Sequence, residues 1–340
     1  MKKNVEIIPT MAIYDSFDKY KEIMRFFVSE SIDLIRINMT RFEPERYISE
    51  IPLIKKAYRE FNQKSELKIL LDVPIPGRKP RVAFDGTESR RYIYKGNTIH
   101  LTSKKDKMDV ENNIFVVDDN EFITYLDINK SKYLYFDDGK LKCQIVNIND
   151  NCVEAIAEND GVISFLKSVY TDGYYFCHMI KRDLEDYLNA INAIKPEYLA
   201  LSFVEQVNDV IRIKEYLKNP IKIVSKIETP EGVNNISNII RVSDAIMIGR
   251  GDLAITSGLA YFGELHTKLL KYSNCIDIYV ATDILQSIVD SEFPNRADII
   301  DITSLIECNV RGLVTSGKIA RGLSLRKFIS IVNEIKGRYQ

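Results

Sequence analysis

Eight short, apolar, β-rich runs, each followed by helix-patterned sequence, constrain the fold of this chain more than any other feature. They begin near residues 5 (VEIIPT), 34 (LIRINM), 68 (KILLDV), 198 (YLALSF), 221 (IKIVSKIE), 245 (AIMIGR), 278 (IYVATDI) and 312 (GLVTSG). Between them, Leu184, Tyr187, Leu188, Ile191 and Ile194 form one apolar helical stripe, and Val233, Ile236, Ile239 and Ile240 form another. Thr229-Pro230 opens the second as a cap followed by proline in the first turn. Strand-helix alternation implies parallel strands, because a parallel pair needs a long return. Successive runs start about 23 to 34 residues apart, the length of one β-α unit, except after the third, where the gap is about 130. The surplus, 80–173, holds short alternating strands (YIYKGNTIHLTS, YLYFDDGKLKCQIVNI, CVEAIA) and an Asp138-Gly139 hairpin signal. The expected fold is α/β: a (β/α)8 TIM barrel over 1–79 and 174–340, with an all-β lid domain over 80–173 inserted after the third strand. An open doubly wound sheet is the rival.

Composition removes several function classes. The 340 residues carry 47 Lys+Arg against 48 Asp+Glu, a formal charge of −1, with no long basic run, so a dedicated nucleic-acid binder is not expected. The opening MKKNVEIIPT lacks the apolar core and small-residue cleavage site of a secretory signal, and no stretch approaches a membrane span. Cys143, Cys152, Cys177, Cys275 and Cys308 are scattered without a C-x-x-C pair and read as reduced packing residues of a cytoplasmic protein.

In a closed barrel, chemistry sits where strands end and the following loops begin. Those positions hold Arg36 and Asn38, Asp72, Lys226 and Glu228, Arg250 and Asp252, Thr282, and Ser316 with Lys318. Taken singly, each reads as a solvated strand tip; a whole charged set at one end is harder to dismiss. Lys226 and Glu228, two apart on a strand, share a face at a separation of about 7 Å. Glu228 and Asp252, on neighbouring strands, can aim both carboxylates at one point. Mg2+ is held in this way, by one or two carboxylates, substrate oxygens and retained waters. Lys226 would then face a bound anion; a plain salt bridge is the competing reading. Gly249-Arg250-Gly251-Asp252-Leu253-Ala254 fits G-x-G-x-x-A only superficially, because the Asp252 charge would repel a pyrophosphate cradled there. His100, His178 and His266 lie on none of these strand ends, which leaves a Ser-His-Asp or Cys-His nucleophile without support.

Five of these segments, SKIETPEG (225–232), MIGRGDLA (247–254), VATDIL (280–285), FPNRAD (293–298) and SGKIARG (316–322), resemble in order and spacing the motifs of the pyruvate kinase family. LIRINMT (34–40), LLD (70–72), FDDG (136–139) and LALSFV (199–204) extend the similarity to nearly the whole chain. The resemblance implies metal-dependent phosphoryl transfer between phosphoenolpyruvate and a nucleoside diphosphate (ADP), giving pyruvate and ATP. It implies that Glu228 and Asp252 hold Mg2+ or Mn2+, and that Lys226 neutralises the transferring phosphoryl group and the enolate oxygen. Arg36 would grip the substrate phosphate, the Gly251 amide the carboxylate, and Thr282 would lie where the enolate is protonated. Asn38, Thr40, Asp72 and the Val73 carbonyl would form a K+ site, unless Lys79 supplies that charge instead. Arg81, Lys167 and Arg321 would meet the nucleotide phosphates. Such a set is coherent, since phosphoryl transfer is mainly positioning and charge neutralisation.

The departures from the family pattern fall largely on the nucleotide side. Val73-Pro-Ile-Pro-Gly-Arg-Lys-Pro-Arg81 stands for Thr-Lys-Gly-Pro-Glu-Ile-Arg, Ala12-Ile13 for Gly-Pro, Arg41 for a histidine, and Ser316-Gly-Lys-Ile-Ala-Arg321 for Ser-Gly-Glu-Thr-Ala-Lys. One helix (326–337) follows the last strand, so the family's C-terminal regulatory domain is expected to be absent. Two alternatives stay open: the same barrel and enolate chemistry with another acceptor or reaction, as a specialised phosphotransferase or lyase, or a non-catalytic metabolite-binding relative. Assembly into a homo-oligomer is not decided by the sequence.

Overall fold

The computed structural model describes residues 4–339 apart from 41, 84–89, 138, 150–151, 175, 179–180, 290, 292 and 321. The chain divides into two compact units, one of Met1–Pro76 with Met179–Gln340, the other of Gly77–His178.

The first unit is built on parallel strands β1 (Glu6–Ile8), β2 (Thr10–Met11), β3 (Leu34–Asn38), β4 (Lys68–Arg78), β5 (Tyr198–Ser202), β6 (Lys222–Ile227), β7 (Ala245–Gly249), β8 (Asp277–Ala281) and β9 (Gly312–Val314). Their order in the sheet is β1-β9-β8-β7-β6-β5-β4-β3-β2. All eight expected runs are strands, but the first is split at Pro9, whose ring nitrogen has no hydrogen to donate to a ladder. Ahead of it Ile8 pairs with Val314, and beyond it Thr10 pairs with Arg36. The two ends of the sheet are therefore halves of one interrupted strand, and the sheet closes into a (β/α)8 barrel.

The two-residue period of the pleat sorts the side chains. Ile35, Ile37, Ile69, Leu71, Leu199, Leu201, Ile223 and Ile227 join the large core shared with the surrounding helices. Leu34, Leu70, Ala200 and Val224 form a separate inner cluster with Ile8, Met247 and Tyr279. One pleat further along the same inward face stand Arg36, Asp72, Ser202 and Lys226, so the barrel interior turns from apolar to polar within two residues on four strands, and to charged on three of them.

Helices follow as the stripes imply, with one break. Thr229 caps its helix by accepting the Gly232 N–H at 3.2 Å. That helix, Pro230–Asn234, ends at Asn235, and a second, Ile236–Ile239, begins beyond it. Asn235 turns its amide to the Glu205 carbonyl and the Glu231 carboxylate, which separates the two.

The second unit holds a six-stranded sheet with Leu141–Asn149 and Cys152–Ala157 near its middle, and a separate pair, Gly161–Ser164 with Arg90–Ile93. The expected hairpin forms between Tyr133–Phe136 and Leu141–Asn149; Asp138 itself lies outside the described residues. This unit is not all-β. A helix, Asn120–Ile128, starts where the Asp119 carboxylate accepts the Glu121 N–H, and Phe122, Ile123 and Leu126 bury one helical face in the core. Among the described residues no helix is long and apolar enough to cross a membrane.

Candidate active site

Four strand ends of the barrel contribute one connected polar set, charged on three of them. Asp72, at 1% exposure, receives Arg36 Nε at 2.7 Å and Nη2 at 2.6 Å on Oδ2, and Lys226 Nζ at 3.1 Å on Oδ1. Lys226 also lies 3.2 Å from Glu228 Oε1 and donates to Ser202 Oγ at 3.0 Å. Ser202 passes its own hydrogen to the Val73 carbonyl at 2.8 Å. Glu228, at 2% exposure, takes the Phe203 N–H on Oε2 at 2.8 Å. Phe203 sits at φ +53°, which aims its amide back toward β6. Arg36 Nη1 reaches Thr10 Oγ1 at 3.1 Å, and Thr10 donates to the Thr315 carbonyl at 2.6 Å, so the closing seam of the barrel holds the arginine.

The two buried carboxylates titrate in opposite directions. Burial alone would raise Asp72, but Lys226 and Arg36 on either side outweigh it and hold its carboxyl below the usual range. Glu228 has one cation and the Asp252 carboxylate nearby, so burial wins and pushes it up to about 7. Burial would lower the Lys226 ammonium, yet Asp72 and Glu228 keep it above its ordinary value. Lys226 therefore stays charged, and Glu228 is a carboxylate whose charge lacks full compensation.

Asp252 does not sit in a loop as the sequence suggests: the helix Arg250–Ser257 begins directly after β7, and Asp252 occupies its first turn. Gly249 is the last residue of the strand, and only glycine fits there without displacing Glu228, because a Cβ would lie 2.7 Å from Glu228 Cγ and 2.8 Å from Oε1. A Cβ on Gly251 would meet Thr282 Cγ2 at 3.0 Å, so glycine lets helix and Thr282 approach. Arg250, grouped with the charged strand tips in the sequence, turns away and is buried, with Nη1 on both Asp301 oxygens at 2.8 Å.

Three of the expected K+ ligands, Asn38, Asp72 and the Val73 carbonyl, are engaged by protein groups. Asn38 Oδ1 accepts the Thr40 N–H at 3.0 Å, both Asp72 oxygens face cations, and the Val73 carbonyl accepts Ser202. Lys79, Arg81 and Lys167 belong to the second unit. There the Arg81 guanidinium donates to the Leu166 carbonyl at 2.5 Å, and Lys167 lies 3.4 Å from Asp137. Arg321 and Arg41 lie outside the described residues. Ser316 accepts the Ile319 N–H in the turn after β9, and Lys318 is exposed. Sequence reasoning missed Ser202, Thr10, Asp301 and the Phe203 amide. Ser202 was findable, as the polar residue one pleat beyond Ala200 in LALSFV.

Among the described residues no three His, Cys, Asp or Glu side chains gather as a metal cluster. Glu228 with Asp252 is a two-carboxylate set, which fits an ion that completes its shell with substrate oxygens and waters.

Fold and charge placement define a (β/α)8 barrel with a cluster of paired acidic and basic side chains at the carboxyl ends of its strands. A family model described as "Pyruvate kinase, barrel domain" matches residues 2–324. The chain belongs to the pyruvate kinase family. It is 27% identical over 319 residues to a pyruvate kinase of Pyrobaculum aerophilum, covering 88% of this chain and 64% of that one. It is 25% identical over 325 residues to that of Thermotoga maritima, covering 94% and 67%, and 25% over 321 to that of Mycoplasma genitalium, covering 91% and 62%. The chain thus spans about two thirds of the length of these relatives.

Proposed function

We propose that the protein transfers a phosphoryl group between phosphoenolpyruvate and a nucleoside diphosphate, ADP in the simplest case. The P–O bond to the enol oxygen breaks, a P–O bond to the terminal phosphate oxygen of the diphosphate forms, and the enolate takes a proton at C3 to give pyruvate. The observation that carries this reading is the chain Arg36–Asp72–Lys226–Glu228 at the strand ends, with contacts of 2.6 to 3.2 Å and with Asp72, Lys226 and Glu228 buried. It holds two cations rigidly enough to meet a phosphate and an enolate without reorganisation. Arg36 grips the phosphate, Lys226 faces the bridging oxygen, and the Gly251 amide takes the carboxylate. Thr282 flanks the carbon that is protonated.

Glu228 and Asp252 would hold Mg2+ or Mn2+. Raising Glu228 to about 7 by burial, with Asp252 adding to the rise, marks a pair whose repulsion a divalent cation relieves. When bound, the ion supplies charge neutralisation and a template for the substrate oxygens. For the nucleotide, Arg81 and Lys167 are the candidates, with Arg321.

One observation favours a different acceptor. Arg81 and Lys167 both have partners within their own unit, Leu166 and Asp137. A coupled assay of pyruvate formation, run with several nucleoside diphosphates and with inorganic acceptors, tests the reading. Divalent-dependent turnover with a nucleoside diphosphate supports it; phosphoenolpyruvate binding without turnover on any acceptor favours the non-catalytic alternative.

A further inference from the structure

Thr282 adopts φ +76°, Asp283 φ +54° and Leu285 φ +49°. A β-branched residue in the left-handed region is an outlier that persists only where its surroundings impose it. Here the imposing group is Arg250. Its Nε donates to the Thr282 carbonyl at 2.9 Å and its Nη2 to the Asp283 carbonyl at 2.6 Å, so one guanidinium holds the two strained residues in sequence. The remaining donor, Nη1, is fixed by both oxygens of Asp301, on the helix Arg296–Glu307. Arg250 is also the first residue of the helix that carries Gly251 and Asp252. Thr282 in turn packs against Gly251, close enough that a Cβ there would lie 3.0 Å from its methyl group.

We propose that Arg250, clamped by Asp301, is a positioning residue that sets Thr282 against the Gly251–Asp252 turn, so that the group gripping the substrate and the group at the protonated carbon keep one fixed separation. This rests on the reading of the site as a phosphoenolpyruvate-processing centre. A planar five-donor fork suits the task, because an ammonium cannot reach two carbonyls and a bidentate carboxylate together. The clamp therefore acts on the carbon-protonation half of the reaction more than on phosphoryl transfer. Misplacing a reacting group by about 1 Å costs roughly a hundredfold.

The test compares the parent with Arg250→Lys, Arg250→Ala and Asp301→Asn in two measurements. Hydrogen-deuterium exchange by mass spectrometry follows residues 282–289, with β6 as the internal control. Proton NMR in D2O follows exchange of the pyruvate C3 hydrogens, with Mg2+ and ATP present. In Arg250→Ala, amides of 282–289 should exchange about tenfold faster while β6 is unchanged, and pyruvate exchange should fall about a hundredfold. Arg250→Lys should fall nearly as far, and Asp301→Asn by about tenfold. Millimolar guanidinium should restore part of the Arg250→Ala loss, and ammonium should not; a defect of general folding would respond to neither. Unchanged protection of 282–289 overturns the proposal, as does pyruvate exchange within a few-fold of an active parent. A parent that exchanges no pyruvate hydrogens overturns the underlying functional reading instead, and the amide measurement still decides whether Arg250 holds the loop. Should Arg250→Ala fail to fold, Arg250→Lys and Asp301→Asn decide both measurements.

Discussion

Lys226 Nζ lies 3.1 Å from Asp72 Oδ1, a buried ion pair that joins the third and fifth strands of the barrel directly, while Lys226 also donates to the Ser202 hydroxyl on the strand between them. Asp72 is the shared counter-ion of Arg36 and Lys226, so Asp72→Asn removes the carboxylate charge that both contact and leaves Glu228 in contact with Lys226 alone. Breaking a buried pair this way should cost about 3 kcal/mol or more of stability, read from the urea midpoint at constant slope. The pH dependence should follow. Asp72 is lowered in the folded state, so its contribution is present above the unfolded carboxylate value and is lost as pH falls through the folded one. The gap between parent and variant should narrow in acid; a constant gap would contradict the pairing.

Lys226→Met should abolish phosphoryl transfer. The side-chain volume is largely kept while the charge facing the developing oxyanion is deleted, a loss of about 3 kcal/mol, or over a hundredfold in rate. Mn2+ binding at alkaline pH, followed by electron paramagnetic resonance, should survive. Turnover within a few-fold of the parent would remove Lys226 from its role.

Gly249→Ala tests the seat of Glu228. The new methyl group would stand 2.8 Å from Oε1, and Glu228 has Lys226 and the Phe203 amide on its other sides. Divalent-ion affinity by calorimetry should fall about tenfold or more with fold and secondary structure retained. Unchanged affinity would mean that Glu228 is no ligand.

Divalent binding should also depend on pH with a defined sign. Glu228 is raised to about 7, so below that value a proton competes with the ion, and affinity should drop by up to about tenfold per pH unit before levelling above it. Glu228→Gln should be weak at every pH. A flat profile in the parent would exclude Glu228 as the titrating ligand.

His266 offers a control outside the cluster. Burial and the nearby Arg250 push its imidazole down to about 4, and Nε2 has no hydrogen-bond partner. Its folded value lies below the unfolded one, so stability should be lost as pH falls from about 6.5 toward 4. Relative to the parent, His266→Phe should remove on the order of 2 kcal/mol of this acid loss in thermal melts. Parallel curves for the two proteins would refute it.

The sequence made the barrel and most of the cluster legible for the same reason. Strands buried on both faces read as unbroken apolar runs, so Arg36, Asp72, Lys226 and Glu228 stood out against Ile, Leu and Val. Ser202 did not, because a hydroxyl among apolar neighbours carries no sign of the partner it will meet on the next strand. Arg250 was visible but misassigned: only its tertiary contacts, with Asp301 51 residues away and with the Thr282 and Asp283 carbonyls, show that it faces the Thr282 loop. The helix Asn120–Ile128 was hidden by the surrounding β-rich sequence, since three buried positions over one turn and a half leave a weak periodic signal. The split of the first strand was implicit in Pro9, which a run of apolar letters conceals.

The central claim, that this charged cluster drives phosphoryl transfer from phosphoenolpyruvate, is tested most directly by phosphorus NMR of the parent with phosphoenolpyruvate, ADP and Mg2+, beside Lys226→Met. The account predicts decay of the phosphoenolpyruvate resonance with matching growth of the ATP β and γ signals in the parent, and neither in the variant. Loss of phosphoenolpyruvate with inorganic phosphate as its sole phosphorus product, or no change in the parent, would contradict it.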